Sequence, residues 1–103
     1  MLTVTKENYK SLIEGDKPVL LDFWAPWCVY CRRLTPALEQ VARREDLVVG
    51  TVNIDEELQL AELEQIEVIP TLILYRKGEV LGTVVNPGSK AGIDAFLSQS
   101  LNG

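Results

Sequence analysis

Residues 19–31 read VLLDFWAPWCVYC, and this stretch decides how the chain folds. Its first six residues are apolar on both alternating faces except for Asp22, a pattern that predicts a central strand covered on both sides. Cys28 and Cys31 follow after a short link, at the start of a helical pattern. Because chemistry in α/β sheets gathers beyond the carboxyl ends of parallel strands, this link is the place to look for a functional site.

Strand and helix patterns alternate through the rest of the chain, in the predicted order β-α-β-α-β-α-β-β-α. After the first strand, the predicted strands are residues 19–24, 47–54, 71–76 and 79–85, and the predicted helices are residues 5–14, 31–44, 57–65 and a final helix capped by Ser89. In the third helix, Leu60, Ala61 and Leu63 are the expected packing contacts.

Lys77-Gly78 between the last two strands has the turn chemistry of a hairpin and predicts an antiparallel pair. The alternation before it predicts parallel strands joined by right-handed crossovers. We therefore expect an α/β fold with a mixed five-stranded sheet, flanked by four helices on both faces. The chain shows no repeat or linker, so one domain over residues 1–103 is predicted.

The composition is that of an ordinary globular protein, with 47% hydrophobic residues, 10 basic and 15 acidic side chains, and a net charge of −5. Such an acidic chain is a poor partner for nucleic acid, and its apolar stretches are too short to span a membrane. It has no histidine, which excludes Ser/His/Asp and Cys/His catalytic pairs and the zinc sets that contain His. Met1 is not followed by a signal-peptide pattern, so the cytoplasm is the expected compartment.

Cys28 is expected at the N-cap of the helix, where unpaired amide N–H groups and the helix dipole stabilise a thiolate. The C-x-x-C spacing at a helix start is known to lower a cysteine pKa, and the thiolate is the species that attacks disulfides. Cys28 would attack a substrate disulfide, and Cys31 would then release the substrate from the mixed disulfide that results. Alternatives are a stapling disulfide, two buried thiols without chemistry, or a metal or iron–sulfur centre, which would need ligands beyond these two cysteines.

Several motifs together resemble the thioredoxin family, in order along essentially the whole chain. They are Asp22-Phe23-Trp24-Ala25-Pro26-Trp27-Cys28-Val29-Tyr30-Cys31, Pro36, Asn53-Ile54-Asp55, Ile69-Pro70-Thr71 and Lys77-Gly78. The combination of Trp-Cys-x-x-Cys with a distant Ile-Pro-Thr is far more specific than a lone C-x-x-C. The resemblance implies the thioredoxin fold and a thiol–disulfide oxidoreductase that needs no cofactor of its own.

Asp22 is the one charged residue of its strand, and burial without a counter-ion should raise its pKa. The alternative is an exposed aspartate at a sheet edge. The family resemblance implies that Asp22 assists deprotonation of Cys31, which makes Asp22 the third predicted catalytic residue.

The resemblance also implies a cis peptide bond between Ile69 and Pro70, packed against the two sulfur atoms, where Ile69 would pair its backbone with an extended substrate segment. An ordinary trans proline is the alternative. Trp27, Val29 and Tyr30 complete the predicted substrate-binding rim with these two residues. For Trp27 the alternative is a place in the core, and Trp24 is expected to pack inside.

Three positions depart from the family pattern. Val29-Tyr30 replaces the usual Gly-Pro and changes the first helical turn, which influences the reduction potential. Thr51 stands where a lysine is usual near the buried aspartate, which should make Asp22 harder to ionise. Asn86 replaces a glycine on the docking rim.

The leading functional hypothesis is a protein-disulfide reductase that acts through a mixed disulfide. By resemblance, its partners would be disulfide-containing proteins and a thioredoxin reductase, linked to NADPH or to ferredoxin, and we expect a monomer. One alternative is a glutathione-coupled or more oxidising exchanger, since the tyrosine beside the second cysteine resembles glutaredoxins. The other alternative is a non-redox module that binds a partner protein through the apolar rim.

Overall fold

The computed structural model describes residues 1–102, which form a mixed five-stranded sheet with four helices, as the sequence predicts. The nine elements, in chain order, are β1 (Leu2–Thr3), α1 (Tyr9–Ile13), β2 (Val19–Trp24), α2 (Val29–Val41), β3 (Val48–Asn53), α3 (Leu58–Leu63), β4 (Thr71–Arg76), β5 (Glu79–Val85) and α4 (Lys90–Asn102).

The strands lie side by side in the order β1-β3-β2-β4-β5. The first three in this order are parallel, whereas β4 runs antiparallel to both β2 and β5. Lys77 and Gly78 both have positive φ angles, 54° and 80°, as a two-residue hairpin turn of the primed type requires. The predicted hairpin is confirmed, and β2 lies at the centre of the sheet.

The two faces of β2 belong to two separate hydrophobic cores. Leu21 packs in a core with side chains of α1 and α3, whereas its neighbour Leu20 packs in a second core with side chains of α2 and α4. Both leucines are fully buried. The prediction of a central strand covered on both sides is therefore confirmed, and the carboxyl end of β2 points into the start of α2.

The first helix is shorter than predicted. Thr5 donates its N–H to Asn8 Oδ1 at 2.8 Å, and Thr5 Oγ1 accepts the N–H of Glu7. These bonds hold residues 5–8 in a turn, so α1 begins only at Tyr9. A side chain that hydrogen-bonds its own local backbone can cap a turn as well as a helix, and the sequence pattern does not distinguish the two.

The bounds of two other helices also differ from the prediction. α2 begins at Val29, two residues early, because Cys28 is its N-cap. It ends at Val41, and the amides of Arg43 and Arg44 then switch to i→i−3 bonds. α3 covers Leu58–Leu63 and buries Leu60, but Leu63 is 65% exposed, so its predicted packing role is wrong. Ser89 caps α4 as predicted, since its Oγ accepts the N–H of Gly92.

Among residues 1–102, none of the helices has the length and apolar character needed to cross a bilayer.

Candidate active site

Cys28 and Cys31 form a disulfide at the point where the backbone turns from β2 into α2. Cys28 is the N-cap, in extended conformation with φ −87° and ψ 111°, and Cys31 lies in the first turn of the helix. Their Cα atoms are 5.2 Å apart, a usual separation for a disulfide. The pair that the sequence singles out is thus joined within one helical turn.

The helix start directs one hydrogen-bond donor at the first sulfur. The Cys31 N–H donates to Cys28 Sγ at 3.2 Å, and the amides of the first turn have no partner inside the helix. In the reduced protein, the same amides and the helix dipole stabilise negative charge on this sulfur. Both cysteines are buried in the oxidised protein, Cys31 at 2% and Cys28 at 6% exposed, so the amide donor distinguishes the two sulfurs more than their exposure does. This arrangement suits Cys28 to attack and Cys31 to follow.

The loop before β4 closes the other side of the disulfide. The peptide bond between Ile69 and Pro70 is cis, as the family resemblance implies, so the trans alternative is excluded. Cys28 Sγ lies 3.9 Å from the carbonyl oxygen of Ile69, whose half-buried side chain packs against both cysteines. Ile69 therefore borders the reactive sulfur with its backbone as well as its side chain.

Asn86 supports this loop through its backbone. It has a positive φ of 43° and donates its N–H to the Pro70 carbonyl at 2.8 Å. Asparagine tolerates this left-handed conformation better than most residues that are not glycine. The substitution for the usual glycine therefore preserves the bend and adds an exposed amide side chain to the rim.

Asp22 is buried in the middle of β2 and is only 4% exposed, so the alternative of an exposed edge aspartate is wrong. By strand alternation its side chain shares the face of Leu20, beneath α2. Its cross-strand neighbours are the uncharged Thr51 and Leu72, and Oδ1 has no hydrogen-bond partner in the described structure. Burial therefore raises the pKa of Asp22 to about 7.

Three residues of the predicted rim are exposed around the disulfide, whereas Ile69 is half-buried and Pro70 is buried. Trp27, Tyr30 and Val29 are 66%, 59% and 46% exposed, so the core alternative for Trp27 is wrong. Trp24, by contrast, packs against the buried cluster of Ala25, Cys28 and Cys31, and its Nε1 atom is buried. Large apolar side chains clustered beside a reactive disulfide form a surface suited to a macromolecular partner.

Sequence reasoning missed two side chains at this surface. Asp55, in the loop after β3, accepts a hydrogen bond of 3.0 Å from Trp27 Nε1. Arg33 on α2 places its guanidinium carbon 5.8 Å from the centre of the Tyr30 ring. The spacing of three residues could have indicated the Tyr30–Arg33 contact, because such residues are neighbours on a helix. Trp27 and Asp55 are 28 positions apart, and no local pattern connects them.

Within residues 1–102, no group of three or more His, Cys, Asp or Glu side chains is placed to hold a metal ion. The site holds a disulfide between the start of α2 and the loop before β4. This disulfide can be reduced to two thiols and formed again. Such a pair can exchange two electrons with another disulfide.

Comparison with known proteins gives a consistent result. The family model described as thioredoxin matches residues 1–99. The thioredoxin of Alicyclobacillus acidocaldarius is 37% identical over 102 residues, covering 97% of both chains. The thioredoxin of Buchnera aphidicola is 35% identical, over 99% of this chain and 97% of the relative. The crystal structure of the Malassezia sympodialis thioredoxin superposes with a TM-score of 0.88 at 27% identity, over 96% of this chain and 91% of that one.

Proposed function

The chain belongs to the thioredoxin family and is a protein-disulfide reductase, and we propose specific roles in that reaction for Cys28, Cys31 and Asp22. The observation that carries the proposal is the Cys31 amide directed at Cys28 Sγ, 3.2 Å away at the helix start. This donor makes Cys28 the sulfur that is better stabilised as a thiolate, and hence the nucleophile.

In the first step, the Cys28 thiolate attacks one sulfur of a substrate disulfide. A bond forms between Cys28 Sγ and that sulfur, the substrate S–S bond breaks, and the other substrate sulfur leaves as a thiolate that takes up a proton. The product is a mixed disulfide between protein and substrate.

In the second step, Cys31 loses its proton and attacks Cys28 Sγ. The Cys28–Cys31 disulfide forms, the mixed disulfide breaks, and the second substrate thiol leaves, so that two electrons have passed to the substrate. Asp22 is the proposed acceptor of the Cys31 proton, since it is buried beneath the same helix and has a pKa of about 7. A carboxyl group with such a pKa changes protonation state near neutral pH.

Substrate binding is proposed for the exposed rim and the loop before β4. The Ile69 backbone next to Cys28 Sγ can pair with an extended segment of the substrate, which gives affinity with little demand on sequence. Trp27, Val29 and Tyr30 would supply apolar contact around it, whereas the buried Pro70 would contribute through the backbone of its loop. This mode of binding suits disulfides in many different proteins.

The electron donor is proposed to be a thioredoxin reductase, linked to NADPH or to ferredoxin. The reductase returns two electrons to the Cys28–Cys31 disulfide and so completes the cycle. We further propose that the protein acts in the cytoplasm as a monomer, with residues 1–103 as one thioredoxin domain.

Trapping the mixed disulfide tests the assignment of the two cysteines. The Cys31→Ser variant should accumulate a covalent complex with a disulfide substrate such as insulin, because Cys28 can attack but nothing resolves the product. The Cys28→Ser variant should form no such complex and should lose insulin reduction. A complex formed by Cys28→Ser at the rate of Cys31→Ser would overturn the assignment.

A redox titration against glutathione buffers tests the reductase role against the glutathione-coupled alternative, for which Tyr30 is the one indication. A couple more reducing than the glutathione pool is expected for a thioredoxin-type reductase. A couple poised near that pool would favour the alternative.

A further inference from the structure

Tyr30 and Arg33 form a paired contact on the exposed side of α2, next to the reactive disulfide. The Arg33 guanidinium carbon lies 5.8 Å from the ring centre of Tyr30, within the range of a cation–π interaction. Tyr30 is itself 59% exposed, so the pair lies on the open surface. The ring restricts where the guanidinium lies but leaves its charge in place.

The charge of Arg33 is not neutralised by an acidic side chain. Across residues 1–102, the ion pairs closer than 4.0 Å are Arg44–Asp46 and Lys90–Asp94, both away from the disulfide. Arg32 is also exposed and adds a second positive charge beside Arg33. In a chain with a net charge of −5, this is a distinct cationic patch.

The patch is close enough to influence a substrate at Cys28. Arg33 is five residues beyond Cys28 on the same helix, a rise of roughly 7–8 Å. The guanidinium lies back over the ring of Tyr30, two residues from Cys28. The axial separation is about one Debye length at physiological ionic strength, roughly 8 Å, so we expect a charge on the bound segment beside α2 to be only partly screened from Arg33.

The opposite side of the site carries the opposite charge. Asp55 and Glu56 are exposed in the loop after β3, and Glu62 is exposed on α3. Trp27 joins the two sides, since it precedes Cys28 and its indole is hydrogen-bonded to Asp55. A segment bound across the disulfide therefore meets positive charge towards α2 and negative charge towards α3.

We infer that Arg33, held against Tyr30, is a specificity-determining residue that favours disulfide substrates with a carboxylate side chain beside the attacked cysteine. The inference rests on the proposed function of Cys28 as the nucleophile. Arginine suits this role because its planar guanidinium remains charged and can donate two parallel hydrogen bonds to a carboxylate.

The test compares two synthetic peptide disulfides that differ in one residue, glutamate or glutamine, beside the cysteine. The rate constant of each is measured with the pre-reduced protein in a single turnover, so that no reductase is needed. The glutamate peptide should react roughly two- to five-fold faster, the range expected for an exposed ion pair. This preference should fall towards one at about 0.5 M salt.

Variants separate an effect on the substrate from an effect on the sulfur. Arg33→Gln should remove the preference between the two peptides, and Tyr30→Ala should reduce it. Arg43→Gln changes the charge equally just beyond the far end of α2 and should keep the preference. An unchanged preference in Arg33→Gln, or an equal loss of rate with both peptides, would overturn the inference.

The proposed function has a separate readout in the same experiment. If the reduced wild-type protein reduced neither peptide, the proposed reduction of disulfides through Cys28 would be overturned. If it reduced both at equal rates at low salt, only the role of Arg33 would be overturned.

Discussion

The indole Nε1 of Trp27 donates a hydrogen bond of 3.0 Å to Asp55 Oδ2, and this bond connects the residue before Cys28 to the loop after β3. Both side chains are exposed, so the bond orients the indole on the surface instead of filling the core. A fixed indole gives an incoming substrate a preformed apolar contact, which reduces the entropy lost on binding.

We predict that Asp55→Ala lowers kcat/KM for a protein disulfide by roughly two- to ten-fold, the range of an ordinary net hydrogen bond of about 0.5–1.5 kcal/mol, because both side chains are exposed to water. Trp27→Phe removes the indole N–H that donates the same hydrogen bond. In a double-mutant cycle measured by insulin reduction, the two changes should be coupled, since each breaks the same bond. Effects that simply add would show that the bond does not act in substrate binding.

The burial of Asp22 predicts a pH-dependent stability. The pKa of Asp22 is raised from 3.8 to about 7, so between these values the unfolded chain ionises while the folded protein keeps its proton. The contribution of Asp22 to the free energy of unfolding is therefore fully present below about pH 4. It is lost as the pH rises to about 7, and the loss is on the order of a few kcal/mol. Asp22→Asn should be clearly more stable than wild type at about pH 8, with little difference at about pH 4.

Urea unfolding of the oxidised protein at several pH values measures this difference. Asp16→Asn, an equivalent change on the surface, is the control and should remain within about 0.5 kcal/mol of wild type throughout. A wild-type to Asp22→Asn difference that does not change with pH would show that the carboxyl is ionised in the folded state.

The same residue should control the second chemical step. Asp22 accepts a proton only as a carboxylate, so release of substrate from the mixed disulfide should accelerate as the pH rises through about 7. Asp22→Asn should slow this release at least roughly ten-fold, since general-base catalysis contributes about 10²–10⁴-fold and water can replace part of it. Quenched-flow detection of the mixed disulfide checks both, and release at the wild-type rate in the variant would remove Asp22 from the mechanism.

Gly50 is the position in β3 where the sheet has no room for a side chain. A Cβ atom there would lie 2.6 Å from Val4 Cγ2 and 2.9 Å from Leu21 Cδ2. Gly50→Ala should therefore destabilise the protein by about 1–3 kcal/mol through overpacking. Gly15→Ala meets only ordinary contact, with the nearest atom at 3.5 Å, and is the matched control. Equal denaturation midpoints for the two variants would contradict this view of the β1–β3 packing.

Some elements could be predicted from the sequence with correct bounds because a single local signal determines them. The residues of β2 are apolar on both faces except for Asp22, and β4 and β5 are separated by Lys77-Gly78, whose two positive φ angles suit a hairpin turn. The bounds of α1 were wrong because Thr5 and Asn8 bond to each other in a turn. Leu63 has helical spacing but faces solvent, since only tertiary packing determines which turn of a short helix meets the sheet.

For the site, the prediction was strongest where the chemistry is local. Cys28 at the N-cap and Cys31 one turn later follow from adjacent residues, and the burial of Asp22 follows from its strand. The cis bond before Pro70 could be anticipated only through the family resemblance, because most X–Pro bonds are trans. The bond from Trp27 to Asp55 could not be anticipated, since it depends on how α2 and the loop after β3 meet in space.

Selective alkylation of the reduced protein tests the central claim most directly. With limiting iodoacetamide near neutral pH, followed by peptide mapping, Cys28 should be modified much faster than Cys31 and faster than the thiol of an unstructured peptide that spans the same sequence. The Cys31 amide directed at its sulfur and the helix dipole predict this result. Alkylation of Cys28 at the rate of the free peptide, or preferential alkylation of Cys31, would contradict the account.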